Sequence, residues 1–479
     1  MKKIKIIIAA LIIGSLGFVG CDKGFEELNK NPNQPTKVPS NLLLPDIQRY
    51  TGNYLYSTFV GSDMGSCWSQ QWAKVNYEDE ERYKVRASII EGYCWKGMYA
   101  DVIADAKAME KLALEENNRL TRGVALVMQA YGFSLVTEWF GDVPFSEAGM
   151  GGDANFSPKY DTQQDVYVGI FSMLDTANVC LASGDGTLDA VTDLMYGGNH
   201  LAWQKFANTL KFRLLMRVSG KVDVKIQLAE VLTRPVFTSS TDDAKLNYLS
   251  SYPNANPMFE SLVYGSRFEY KINSKMVAVL NDLNDPRLEV YCEPNNSGEY
   301  RGKPAGINEV PNDEYNYDNV SAIGSLYTEA TFPGLFMTYS EFMFLKAEAA
   351  KNQLIIGSET AAESFYEAGI FANLAFNGLA DQYVAYMTHT GVPYNSTTAL
   401  QQIAEQKWIA LFSQGTESWT EWRRTGYPVL LPAIDAVISE IPSRLIYPGI
   451  EQSVNSAAYN AAVAVQGADL LTTKFWWLK

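Results

Sequence analysis

The stretch CWSQQWAKVNY, Cys67 to Tyr77, sets two tryptophans four residues apart beside a thiol, two glutamines, a lysine and an asparagine. Three kinds of chemistry suit such a set. A thiol next to a base is a nucleophile, an aromatic face bordered by amides stacks on the C–H face of a sugar ring, and two rings at i and i+4 of a helix are packing surface. The first reading lacks its base. His200 and His389 are the only histidines, so a histidine-based triad or zinc site has almost nothing to be built from. The second makes Trp68, Gln71, Trp72 and Tyr77 ligand-binding residues, with Gln70, Lys74 and Asn76 supplying hydrogen-bonding edges. The third packs both tryptophans on the first helix hairpin, through Tyr93 and Trp95. Tryptophan is more often buried than displayed, so packing is the default and the platform the sharper expectation.

Other candidate sites weigh less. Asp142 and Glu147 in FGDVPFSEA are a conceivable carboxylate pair for glycoside hydrolysis, which needs two acids across a cleft, one with a raised pKa. With 54 acids in the chain, nearby pairs arise by chance, and Gly141 and Pro144 read more simply as a helix terminator. SGDGTLDAVTD lacks the ligand series of a calcium loop, and no phosphate-binding loop appears. The loop Pro311 to Ser321, with Asp313, Glu314 and Asp318, reads as solvated acid, with a calcium or ligand loop as the alternative. No catalytic residue, metal ligand or cofactor is expected.

The elements that must position these residues are helices. The apolar positions of Ala87–Asn117 recur at helical spacing, Asn117–Asn118 stops them, and Arg119–Phe140 follows as an antiparallel partner. Asp161–Ala182 pairs with Ala202–Ser219, Tyr339–Gln353 with Glu359–Gly378, and Thr397–Ser413 with Glu417–Thr425. Leu42–Tyr56 precedes them. Repeated pairs imply a mostly α, right-handed tetratricopeptide-like helical-repeat scaffold with long irregular excursions and a few short strands. In Trp203–Val218, one apolar stripe runs beside Arg213 and Arg217, which are expected to pair with acids of a neighbouring helix. Residues 240–332 lack a helical period but are rich in Asn, Pro, Gly and Tyr, which marks them as ordered and functional.

At the front, Lys2, Lys3 and Lys5 precede an apolar run from Ile6 to Val19, and Gly20 stands before Cys21. That is a secretion signal over residues 1–20, with Cys21 at the position where a bacterial lipoprotein is cleaved and acylated. Residues 21–41 read as a tether and 42–479 as one domain. Its lipid chains would hold the protein to a membrane. The net charge of −15 argues against a nucleic-acid partner. Cys67, Cys94, Cys180 and Cys292 are widely spaced and read as buried free thiols, with Cys67–Cys94 a candidate bridge.

Several segments taken together resemble one family. FGDVPFSEA (Phe140–Ala148), WQKFANTLKFRLLMR (Trp203–Arg217), YSEFMFLKAEA (Tyr339–Ala349), EQKWIALFSQG (Glu405–Gly415), EWRRTGYP (Glu421–Pro428) and IPSRLIYPGIEQSVN (Ile441–Asn455) occur in the order found in SusD/RagB-type outer-membrane lipoproteins of Bacteroidetes. The resemblance implies a non-enzymatic surface lipoprotein of the outer membrane that binds a nutrient, most simply an oligosaccharide. It also implies a SusC-like TonB-dependent transporter as partner. Bottom-up, SWTEWRRTGYP reads as a seam of Trp419, Trp422, Arg423 and Arg424 closing the last repeat on the C-terminal segment, with transporter contact as the alternative.

Overall fold

A computed structural model describes residues 38–149, 155–308 and 314–479. Cys21, the signal and tether up to residue 37, and Asp313 lie outside the described residues. Ser40–Lys479 is one compact unit.

The expected helix pairs are present, and local signals set their ends. Helix α1 spans Leu44–Leu55, α2 Ala104–Glu115 and α3 Arg119–Phe140. Next come α4 (Gln163–Ser183), α5 (His200–Val218), α6 (Tyr339–Lys351), α7 (Glu359–Phe376), α8 (Ala399–Ala410) and α9 (Gly415–Thr425). Asn118, Thr162, Asn199, Thr338 and Ser358 each accept a backbone N–H of the first turn that follows them, the usual work of an N-cap. Helix α3 packs against α2 and α4, α4 against α5, α5 against α6, and α6 against α7 and α8. Apart from Arg119 and Arg122, every residue of α3 is buried, so it is the central rod of the scaffold. A Cβ on Gly123 would come within 2.7 Å of Leu181 Cγ; the missing side chain lets α3 and α4 approach. Helix α4 has the length and hydropathy of a membrane span. Its apolar stripe, including Val166, Ile170, Leu174 and Leu181, is instead covered within the protein.

The structure corrects the sequence reading at several points. Ala87–Asn117 is not uniformly α: Ile90–Ile103 is π-helical between α-helical ends. Short helices occur within residues 240–332, notably Ser274–Asp282. Lys225–Leu232 and Ser456–Gln466 add two helices outside the expected pairs. The strands are short: β1 (Trp72–Lys74) pairs antiparallel with β3 (Tyr270–Ile272), and β2 (Ala244–Leu246) with β4 (Gly334–Met337). The four cysteines among the described residues, Cys67, Cys94, Cys180 and Cys292, are buried free thiols, so the Cys67–Cys94 bridge is not formed.

The recurring segments converge on a buried ion network. Arg217, fully buried, holds Glu138 at 3.0 Å and Glu417 at 2.6 Å and also pairs with Glu421. Arg213 lies 3.5 Å from Glu341 and 3.8 Å from Glu417. Lys407 pairs with Glu421, and Arg424 with Glu348 at 2.6 Å and Glu421 at 2.8 Å. The expected pairing of Arg213 and Arg217 with acids of neighbouring helices is therefore observed, across α3, α5, α6, α8 and α9. FGDVPFSEA is the stop it resembled. Gly141 ends α3 at φ 88°, and a Cβ there would fall 2.0 Å from Gln466 Oε1. That oxygen accepts the Asp142 N–H.

Both carboxylate oxygens of Glu341 are buried without a hydrogen-bond donor. Burial, opposed by the charge of Arg213, pushes its pKa up from 4.5 to about 7. A carboxyl whose folded pKa is raised gives stability that is full below its unfolded pKa and is lost as pH rises through the folded value. Urea unfolding should therefore show Glu341→Gln gaining on the wild type between pH 4.5 and pH 8. A stability difference independent of pH across that window would refute the assignment.

Candidate functional site

The pairing of β1 with β3 brings together two chain segments far apart in sequence. Its register sets Trp72 opposite Ile272 and Lys74 opposite Tyr270, and the Val75 N–H donates to the Glu269 carbonyl at 2.8 Å. Asn76–Glu80 thereby comes to lie beside Ser266–Glu269. With Phe59, Arg86 and Tyr317 they enclose an open cleft of about 650 Å³, well within the range of small-ligand sites.

Tyr77 stands at its edge. Its φ of 59° is left-handed, a conformation that costs a non-glycine residue of order 1 kcal/mol and accumulates at functional sites. Asn76 Oδ1 accepts the Tyr77 N–H at 2.9 Å and steadies the turn. The ring is 63% exposed, Phe268 is 62% and Tyr317 43%. Arg267 sits 5.7 Å from the Tyr77 ring centre and Lys271 5.8 Å from that of Tyr317. Lys271 Nζ also donates to the Tyr317 carbonyl at 2.9 Å, tying that loop to β3.

The cations of the cleft are already engaged. Lys74, on the floor, lies 3.0 Å from Asp63, whose carboxylate also accepts the Tyr270 hydroxyl at 2.7 Å. Burial lowers the Lys74 pKa, but the charge and hydrogen bond of Asp63 together with the fields of Cys67 and Glu80 outweigh it and hold the ammonium above its usual value. Arg86 pairs with Glu80 and lies over the Phe59 ring, and Arg267 pairs with Glu269. The surface offers aromatic faces and self-neutralised polar edges.

Trp68 and Trp72 do not belong to that surface. Trp68 is 0% and Trp72 1% exposed. The segment is no continuous helix: a π-helix, Thr58–Ser66, ends in a turn at Cys67–Gln71, and Trp72 begins β1. Gln70, at φ 54°, makes that turn. Trp68 packs edge-on against Trp419 at 5.0 Å and Tyr83 at 6.2 Å, and its indole N–H donates to the Glu80 carbonyl at 2.8 Å. Trp72 meets Tyr270 and Phe412. Gln71, also buried, donates to the Trp408 carbonyl at 2.7 Å. The packing partners are thus α8, α9 and β3 rather than Tyr93 and Trp95, and Trp68, Gln71 and Trp72 are corrected from ligand contacts to core. Tyr77, Lys74 and Asn76 do line the cleft.

Cys67 is fully buried and its thiol pKa is pushed up by that burial and by nearby Glu81 and Asp63, the opposite of an activated nucleophile. Asp142 accepts the Gln163 N–H at 2.8 Å, and Glu147 accepts Asn155 and the Lys159 N–H at 3.0 Å each. Both acids hold local structure. In the SWTEWRRTGYP seam, Arg423 lies 3.6 Å from the Trp419 ring centre and donates to the Ser443 carbonyl at 2.8 Å. A second hollow, of about 710 Å³, surrounds His389 and Gln402. Tyr394, its phenol ring, is half-buried and its hydroxyl donates to Glu359. Phe59, Phe268 and Tyr317 were not named from the sequence; for Phe268 and Tyr317 the available signal was the aromatic content of residues 240–332.

Comparison with known proteins supplies the deciding observation. Residues 32–448 match the profile of a family described as starch-binding and associating with the outer membrane. The chain belongs to the SusD-like family. A Flavobacterium johnsoniae structure described as a chitin-binding SusD homologue is 25% identical, with a TM-score of 0.77 over 91% of this chain and 97% of that one. A SusD homologue of Bacteroides ovatus is 25% identical, with a TM-score of 0.79 over 92% and 99%. A chitin-binding protein is 26% identical, with a TM-score of 0.79 over 91% and 98%. No curated protein sequence matches the chain. The helical-repeat architecture of the SusD-like family is the one described above.

Proposed function

We propose that the protein is a non-catalytic glycan-binding lipoprotein of the outer membrane that captures an uncharged oligosaccharide in the cleft of Tyr77, Phe268 and Tyr317. The observation that carries this reading is the cluster of exposed rings with polar edges. Three aromatic faces meet one open hollow, and a pyranose offers complementary C–H faces ringed by hydroxyls. Among the described residues that line the cleft, each cation, Lys74, Arg86 and Arg267, is paired with an acid of the chain, which disfavours a uronate or sulfate. The chitin-binding SusD-like relatives support a sugar as ligand.

Acylation at Cys21 would hold the protein at the membrane, facing the medium, and a SusC-like TonB-dependent transporter would receive the ligand. The family resemblance supports both. The test is a binding panel of malto-oligosaccharides, chito-oligosaccharides, other neutral glycans, acidic glycans and peptides, using the protein carrying Cys21→Ser. Binding of a neutral glycan without new reducing ends is the expected result. Exclusive binding of acidic glycans or peptides, or cleavage of the ligand, would overturn the reading.

A further inference from the structure

Seven aromatic rings stand exposed among the described residues, and five of them lie in the cleft or in the segment leading to it. Tyr77, Phe268 and Tyr317 line it. Tyr252 and Tyr264 do not, yet they are 62% and 67% exposed and stack nearly parallel, with ring centres 5.5 Å apart and planes 13° from each other. Mutual stacking covers only the facing sides of two such rings and leaves their outer faces to water, a cost that marks binding surface.

The pair is joined to the cleft through the backbone. Tyr264 ends the π-helical segment Phe259–Tyr264, and the Arg267 N–H donates back to the carbonyls of Ser261 and Leu262 at 3.2 and 3.1 Å. This folds the cleft wall 266–269 against the segment that bears Tyr264. Phe268 is four residues on, so at most about 14 Å of chain separates it from Tyr264. The loop carrying Tyr252 is closed by the Leu249 N–H donating to the Asn254 carbonyl at 2.8 Å. Ser250, Ser251, Asn254 and Ser266, close to the two tyrosines in sequence, are exposed and offer hydroxyl and amide groups on the same segments.

We infer that Tyr252 and Tyr264 form a second stacking platform, continuous with the cleft, for the further units of a sugar chain whose first units lie against Tyr77, Phe268 and Tyr317. The inference rests on the glycan reading of the cleft. It assigns the ligand class: a linear oligosaccharide long enough to reach both platforms, rather than a mono- or disaccharide.

The test is calorimetric titration with malto- and chito-oligosaccharides from disaccharide to heptasaccharide. It compares the Cys21→Ser protein, that protein with Tyr252→Ala and Tyr264→Ala, and that protein with Tyr77→Ala. Affinity of the parent should climb with chain length. The double variant should match it on the shortest bound ligand and fall about fivefold or more behind on the longest, whereas Tyr77→Ala should weaken every length. Unchanged thermal midpoints check folding, and Tyr252→Ala alone replaces the double variant if that one unfolds. Equal affinities of parent and double variant at every length would overturn the second platform while leaving the cleft intact, as would equal weakening at all lengths. A parent that binds neither these nor any other glycan overturns the cleft reading, and the platform with it.

Discussion

Arg217→Ala should lower the stability of the fold by about 3–5 kcal/mol, the range found when one partner of a buried ion pair is removed. The guanidinium is wholly buried and touches Glu138, Glu417 and Glu421 from two other helices. Without it, Glu138 loses its ion-pair partner in a dry interior, while Glu417 keeps Arg213 and Glu421 keeps Lys407 and Arg424. The guanidinium that links Glu138 of α3 to Glu417 and Glu421 of α9 is gone, and buried negative charge is left under-compensated. The measurement is the urea midpoint at pH 7, with Arg49→Ala as control. Arg49 pairs with Asp46 on the surface, where such a pair is worth little, so its loss should leave the midpoint in place. A shift for Arg217→Ala no larger than that control would show that the network is incidental to the fold.

That network also explains which parts of the protein were legible beforehand. The segments that mark the family carry Arg213, Arg217, Glu341, Glu348, Lys407, Glu421 and Arg424, residues of the scaffold rather than of the cleft. Helix α3 was readable to the residue, because Asn118 and Gly141 set its ends locally. CWSQQW was not readable in the same way. Its turn depends on Gln70, and the direction of Trp72 on a strand partner about two hundred residues away, information that helical spacing does not hold. Tyr77, Lys74 and Asn76 were reachable because they sit beside the tryptophans in sequence. Phe268 and Tyr317 join them only through β3 and its link to the 314–321 loop, so the composition of residues 240–332 flagged a functional region without naming its rings.

The same division gives the second large effect, a reciprocal outcome for two neighbouring aromatics. Trp68→Ala should cost about 3–5 kcal/mol, as for other buried tryptophans, because it empties the space between Trp419 and Tyr83 and removes one of the two N–H donors to the Glu80 carbonyl. Its folded fraction should bind glycan as the parent does. Tyr77→Ala should leave the unfolding midpoint unmoved, since the ring is mostly in water and its turn is held by Asn76. Affinity should drop at least tenfold, about 1.4 kcal/mol or more. Paired urea titrations and calorimetry on both variants read the four quantities. Lost binding in folded Trp68→Ala together with intact binding in Tyr77→Ala would return the site to the tryptophans. The opposite pattern fixes the division of labour along ten residues of chain: the indole ring braces α9 against the turn, and the phenol, pushed outward by a left-handed residue, meets the sugar.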